Sequence, residues 1–170
     1  MPVLVALVVL LALAPAVLAV SGPREAPRHD EAAPLAAIAR HAGCTLTEFG
    51  HDPGSNPPVS GRIDERISAS DGSYVGRRSP STPASVHALL HGRVVVQFQP
   101  DLPPAEIARL DRLVRRTPAR TLLFANRTGM RHRVTATAYL TLMACPGVNA
   151  RTIAALRTFR DRRVGFGQAF

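Results

Sequence analysis

Val86–Gln97, VHALLHGRVVVQ, passes from a helical pattern to a strand pattern within one short stretch. Thr82 stands before Pro83, and Thr is a good N-cap while Pro is favoured at the first helical position, so a helix is predicted over Pro83–His91. Gly92 can take the left-handed conformation that closes a helix, and the β-branched run Arg93–Phe98 then reads as a strand that Pro100 stops. On the helix His87 and His91 are four residues apart and leave the same face, a spacing that lets two imidazoles share one metal ion. The H-E-x-x-H zinc-protease pattern fails here, because Ala88 stands where the catalytic Glu belongs. The structural alternative is that His91 caps the helix C-terminus and His87 is a hydrogen-bonded core histidine.

Working outward from this stretch, helices and strands alternate. Leu102–Arg116 carries Ile107, Leu110, Leu113 and Val114 on one face, with Pro103 or Pro104 in its first turn and Arg115-Arg116 where cations suit the helix dipole. Thr121–Ala125 reads as a strand, Asn126–Gly129 as a turn, and Val134–Leu142 as one strictly alternating strand. In that strand Val134, Ala136, Ala138, Leu140 and Leu142 face one way and Thr135, Thr137, Tyr139 and Thr141 the other. Asn126-Arg-Thr128 matches a glycosylation acceptor but is read as a turn only. Asn149 caps a final helix to Arg162 with Ile153, Leu156 and Phe159 as its apolar face, and Gly165–Phe170 reads as a loose tail.

Upstream, Leu35, Ile38 and Ala42 mark a helix that Gly43 stops, and Thr45–Phe49 alternates like a short strand. Gly50–Gly61 is a long proline-held loop carrying His51, which can reach the His87/His91 face, or is simply a solvated loop histidine; 63–81 reads as irregular. A strand–helix–strand unit implies a right-handed crossover to a parallel neighbour, and the short turn after Ala125 implies an antiparallel third strand. The expected class is therefore α+β: a small mixed sheet covered by helices, with a long Pro/Gly-rich loop region in the N-terminal half.

Residues 1–20 open with an apolar run that carries no charge before Arg24, which reads as a signal peptide; lacking a basic start, it also reads as a membrane anchor. Residues 21–34 form a Pro- and charge-rich linker, 35–165 a single domain and 166–170 a tail. Such a segment implies an extracytoplasmic domain, secreted or anchored. In that compartment Cys44 and Cys145 are expected to be bridged; buried thiols, or a thiolate recruited by the histidines, are the alternatives. The net charge is +9, and all 21 basic residues are Arg, a composition that suggests GC-rich coding and discounts the charge as a functional signal. With 5% aromatics and no Trp there is no stacking platform for nucleic acid, so anionic envelope polymers or lipid headgroups are the expected partners. No G-x-S-x-G, Gly-rich phosphate loop or thiol-redox motif is present, and an enzyme is the least supported reading.

The combination Cys44, His51, Asn56-Pro-Pro-Val-Ser-Gly61, Val86–Val94, Thr128-Gly-Met130, Ala136-Thr-Ala138 and Cys145 resembles the bacterial family called domain of unknown function 3105, from Cys44 to about Arg163. The resemblance implies a secreted or membrane-anchored domain, often actinobacterial, and brings no activity with it. Where the family pattern usually carries a loop His and a helix Glu, this chain has Ile63 and Leu90, which removes two polar groups from any metal site. Two function classes follow. One is an extracytoplasmic protein that binds copper or zinc through His87 and His91, with His51 or Met130 completing the shell and Tyr139 as a neighbour. The other is a non-enzymatic envelope module that uses its Arg-rich surface and keeps the histidines for structure.

Overall fold

The computed structural model describes residues 33–49 and 54–168. In chain order its elements are α1 (Leu35–His41), β1 (Thr45–Glu48), β2 (Gly72–Ser73), α2 (Thr82–Leu90), β3 (Val94–Phe98), α3 (Pro104–Arg116), β4 (Thr121–Ala125), β5 (Val134–Ala138), β6 (Thr141–Cys145) and α4 (Ala150–Arg163). The strands form one mixed sheet in the order β1-β6-β5-β3-β4-β2, and the α+β class expected from the sequence holds. β3 lies inside the sheet with every residue buried, which is why its sequence is a continuous Val run rather than an alternation.

β3 and β4 pair in parallel from Val94↔Thr121 to Phe98↔Ala125, with α3 between them in sequence, as the strand–helix–strand pattern requires. The antiparallel third strand exists as β5, but it pairs with β3 (Phe98↔Val134) rather than with β4. The connection after β4 crosses the end of β3, where Asn126 N–H donates to Phe98 O (2.8 Å) and Gln99 N–H to Arg133 O (3.0 Å). The far edge of β4 is taken instead by β2, a two-residue strand inside a segment that read as irregular.

The run Val134–Leu142 is not one strand. It turns at Tyr139-Leu140, and β6 returns antiparallel to β5. Leu140 has φ +56°, a costly conformation for a residue with a Cβ. It is held from both sides, its N–H donating to Val59 O (3.0 Å) and its carbonyl accepting from Phe49 N–H (2.8 Å). The alternation misleads because both faces of β5 are covered: Thr137 Oγ1 donates to Val95 O (3.2 Å) and Thr135 Oγ1 to Met130 Sδ (3.3 Å), so these hydroxyls are satisfied internally.

Helices cover both faces of the sheet. Val94, Val96 and Phe98 of β3 join one core cluster with Leu110, Leu113 and Val114 of α3 and Leu156 and Phe159 of α4, the helix faces expected from periodicity. Fully burying each of these large side chains contributes roughly 1.5–3 kcal/mol. Val95 points the other way, to Leu122 and Phe124 of β4 and to Ala84, Ala88 and Leu89 of α2. A disulfide joins Cys44, just before β1, to Cys145 at the end of β6 and so fastens the β1–β6 edge, where Thr45 pairs with Ala144.

Residues 165–168, read as part of a loose tail, lie against the C-terminal end of α2. Gly165 N–H donates to Gly92 O (2.8 Å), Gln168 N–H to Leu90 O (3.0 Å), and Gln168 Nε2 to the Tyr139 hydroxyl (2.8 Å). Glycine permits this approach: Gly92 turns the chain with φ +70°, and a Cβ on Gly167 would collide with the Leu90 carbonyl.

Candidate functional site

The helix that carries the histidine pair starts one residue earlier than its sequence suggests. Ser81 is the N-cap, its Oγ accepting from Ala84 N–H (3.4 Å), and Pro83 stands within the first turn. His91 occupies the C-cap position, donating its backbone N–H to His87 O (3.2 Å). The two imidazoles meet through Nε2 at 2.8 Å, and His87 Nδ1 lies 3.0 Å from the Ile67 carbonyl oxygen. A carbonyl can only accept, so Nδ1 carries the His87 proton; the Nε2 of neutral His87 is then the acceptor, and the His91 Nε2–H is the donor.

Imidazole anchored through Nδ1 to a carbonyl is the usual support for a metal-binding Nε2. Among the described residues the rest of the lining supplies no third imidazole, thiol or carboxylate. Ser68, Ala69, Ala88 and Arg93 line the recess beside the pair, and no group of three His, Cys, Asp or Glu suited to a metal occurs among the described residues. Arg93 places a guanidinium in the wall, its Nε donating to Asp71 Oδ1 (2.7 Å).

Met130 is not brought to the histidines. Its carbonyl accepts from Gln99 Nε2 (2.8 Å), beyond the end of β3, whereas His91 precedes its start; a strand rise per residue puts the two ends about 17 Å apart. Tyr139 is at the histidine end of the sheet but is bonded to Gln168. His51 lies outside the described residues, as do the apolar segment 1–20 and the greater part of the linker.

A second site, which sequence reading missed, lies at the opposite end of α2. The carboxyl ends of the parallel strands β3 and β4, the N-terminus of α2 and the segment after β2 enclose a recess of about 410 Å³. Carboxyl ends of parallel strands are where open α/β sheets take ligands. The recess is lined by Arg77, Arg78 and Arg127, by the cap Ser81 with Thr82 and Ser85, and by Gln97, Asn126 and Phe124; no carboxylate lines it among the described residues. None of its three arginines forms an ion pair among the described residues, in contrast to Arg66, Arg93, Arg115, Arg133, Arg160 and Arg163. The dipole of α2 adds partial positive charge at the same point.

An amide network centred on the buried Asn126–Gln97 pair and reaching the exposed Asn56 forms the floor. Asn126 Nδ2 donates to Gln97 Oε1 (2.7 Å) and to Asn56 Oδ1 (3.3 Å), and Asn126 Oδ1 accepts from Thr128 N–H (2.8 Å). Asn56 Nδ2 in turn donates to Thr128 O (2.9 Å), drawing in a loop 72 residues away in sequence. Asn126 is only 5% exposed, so the Asn126-Arg-Thr128 tripeptide is a turn that has closed over its own amide. The Asn56-Pro-Pro and Thr128-Gly-Met motifs, separate in sequence, thus meet in one place.

The profile described as "Protein of unknown function (DUF3105)" matches residues 52–163. The chain belongs to this family. The matched region contains the histidine pair and the whole lining of the recess, from Pro58 to Thr128. No curated protein and no solved structure matches the chain. The disulfide points to an extracytoplasmic setting, and no helix among the described residues is long and apolar enough to cross a membrane.

Proposed function

We propose that this DUF3105 domain works outside the cytoplasm, exported or anchored by its N-terminal apolar segment, as a non-catalytic module that binds an anionic group of the cell envelope in the recess at the N-terminus of α2. The observation that carries this reading is that Arg77, Arg78 and Arg127 line one concave site without ion-pair partners or a lining carboxylate among the described residues, the Arg77 guanidinium resting over the Tyr74 ring at its edge. Guanidinium forks match the oxygens of phosphoryl groups, the hydroxyls of Ser81 and Thr82 and the dipole of α2 add to them, and Phe124 with Pro58 and Pro80 gives an apolar wall for a sugar- or polyol-sized body. Among the described residues the lining offers hydroxyls, amides and guanidinium groups, a set suited to holding an anion.

Backbone amide NMR with glycerol 1-phosphate and inorganic phosphate, repeated on Arg78→Ala/Arg127→Ala, tests it. Shifts confined to residues 77–85 and 124–128, lost in the variant, are expected; shifts that spread over the surface, or persist in the variant, would refute the site. Metal binding through His87 and His91 is the weaker proposal, because the described residues supply two imidazoles and set a guanidinium beside them. Stoichiometric copper or zinc in untagged parent protein, absent from a folded His87→Ala/His91→Ala variant, would reinstate it.

A further inference from the structure

The helix layer on the other face of the sheet carries a second cationic feature, independent of the recess. α3 and α4 lie side by side, tied at one end where Arg109 Nη1 donates to Val148 O (3.2 Å) and Val148 N–H donates to Glu106 Oε2 (3.2 Å). Between them runs an open groove of about 580 Å³ lined by Arg109, Arg112, Leu113 and Arg116 from α3 and by Ala150, Ile153 and Arg157 from α4. Both sets follow the i, i+3, i+7 spacing of a single helix stripe, so the groove is about two helical turns, roughly 10 Å, long. Half-buried Ile153 and exposed Ala150 supply apolar surface between arginines contributed by both helices, over a floor closed by the buried Leu113.

Arg112, Arg116 and Arg157 have no ion pair among the described residues. The nearest carboxylates are committed elsewhere: Glu106 accepts from Val148, and Asp111 accepts from Arg115 Nε (2.7 Å). Asp111 offsets part of the Arg112 charge from the side, but no acid is in the groove lining among the described residues, and its complement is an anionic partner.

We propose that the α3–α4 groove docks an acidic peptide segment of a partner protein, one that presents aliphatic side chains at helical spacing between its carboxylates. The apolar strip favours a peptide over a bare polyanion, which has nothing to set against Ile153 and Ala150. The concave shape favours it over a flat lipid surface. A second copy of this chain is a poorer occupant among the described residues, where Glu48, Asp64, Asp71, Asp101, Asp111 and Asp161 are each already paired with an arginine. Side chains from a two-turn helix segment would set Leu or Ile against the strip while Glu or Asp meets Arg112, Arg116 and Arg157 from above.

The test uses the exported chain and a fluorescent synthetic helix of Glu and Leu, with a Glu/Ser control of equal charge, soluble polyphosphate and phosphatidylglycerol vesicles as the other probes. Anisotropy is expected to show binding of the Glu/Leu peptide about tenfold tighter than the Glu/Ser control, and loss of about tenfold or more in Arg112→Glu/Arg157→Glu. Both arginines are exposed, and Arg112→Ala/Arg157→Ala is expected to shift binding in the same direction by less. Equal binding of the two peptides would reduce the groove to a charge patch. Tighter binding of polyphosphate or vesicles would assign it to a polymer or a membrane, and unchanged affinity in the charge-reversed variant would place docking elsewhere. Each of these results overturns the proposal.

Discussion

Replacing Asn126 by Asp changes one NH2 group to oxygen at the centre of the amide network, with almost no change in volume. The parent Nδ2 donates to Gln97 Oε1 at 2.7 Å and Asn56 Oδ1 at 3.3 Å, and Gln97 is itself only 3% exposed. In the variant both donations vanish and carboxylate oxygen is turned toward two carbonyl oxygens. Losing two neutral hydrogen bonds costs about 1 kcal/mol each, and leaving Gln97 Oε1 short of its donor adds about 1 kcal/mol or more, for a total near 3 kcal/mol. At a urea m-value of about 1.5 kcal/mol/M this lowers the unfolding midpoint by about 2 M. The buried carboxyl is pushed toward its neutral form, so its folded pKa rises above the unfolded value of about 3.9; the deficit therefore grows as pH rises through that value and shrinks as pH falls. Asn126→Ala removes the same donors without adding a titrating group, so its deficit relative to the parent is flat across the same range. Urea unfolding of the three proteins from about pH 4 to pH 7, with the disulfide intact, reads all of this. An Asp variant with the parent's midpoint at pH 7, or with a deficit as flat as the Ala variant's, would refute the amide network as described.

Cys44→Ala/Cys145→Ala opens a loop spanning 101 residues, and chain-entropy arithmetic gives a loss of about 4.7 kcal/mol, measurable as a drop in the guanidinium midpoint; a loss below about 1 kcal/mol would mean that the edge pair β1–β6 holds itself. Partial burial opposes ionisation of Asp111, but the Ser73 hydroxyl and Arg115 outweigh it and hold its carboxyl below the ordinary 3.8. A depressed folded pKa contributes stability above 3.8 that is lost as pH falls below it, so Asp111→Asn is expected to flatten the acid limb of the stability profile, and an unchanged limb would remove Asp111 from that account. Gly167→Ala sets a methyl group against the Leu90 carbonyl and is expected to release residues 165–168 from α2, read as faster amide exchange at Gln168 with little change in global stability.

Local signals in the sequence found most of the elements. The Ser/Thr and Asn caps, the glycine after His91, the apolar stripes of α3 and α4 and the Val run of β3 each report a nearby backbone requirement, and each stands within a residue or two of its predicted place. The hairpin at Tyr139-Leu140 escaped because its turn carries none of the usual turn residues; Val59 and Phe49, distant in sequence, satisfy the Leu140 backbone instead. The candidate site divided in the same way. The His87/His91 pair was legible because helical spacing alone brings those side chains together, and the family pattern placed it.

The sequence by itself determined the four helices and the strands β1, β3 and β4, the parallel β3–β4 unit, the α+β class and the pairing of the two cysteines once an oxidising compartment is granted. These follow from periodicity, caps and composition, which act over a few residues. Tertiary structure alone decided that β5 adds to β3 rather than to β4, that Met130 stands at the far end of the sheet from the histidines, and that Asn56 meets Asn126 and Thr128 at a recess lined by Arg77, Arg78 and Arg127. Those outcomes depend on which buried donors find which acceptors when distant segments close on one another, and no local pattern encodes that choice.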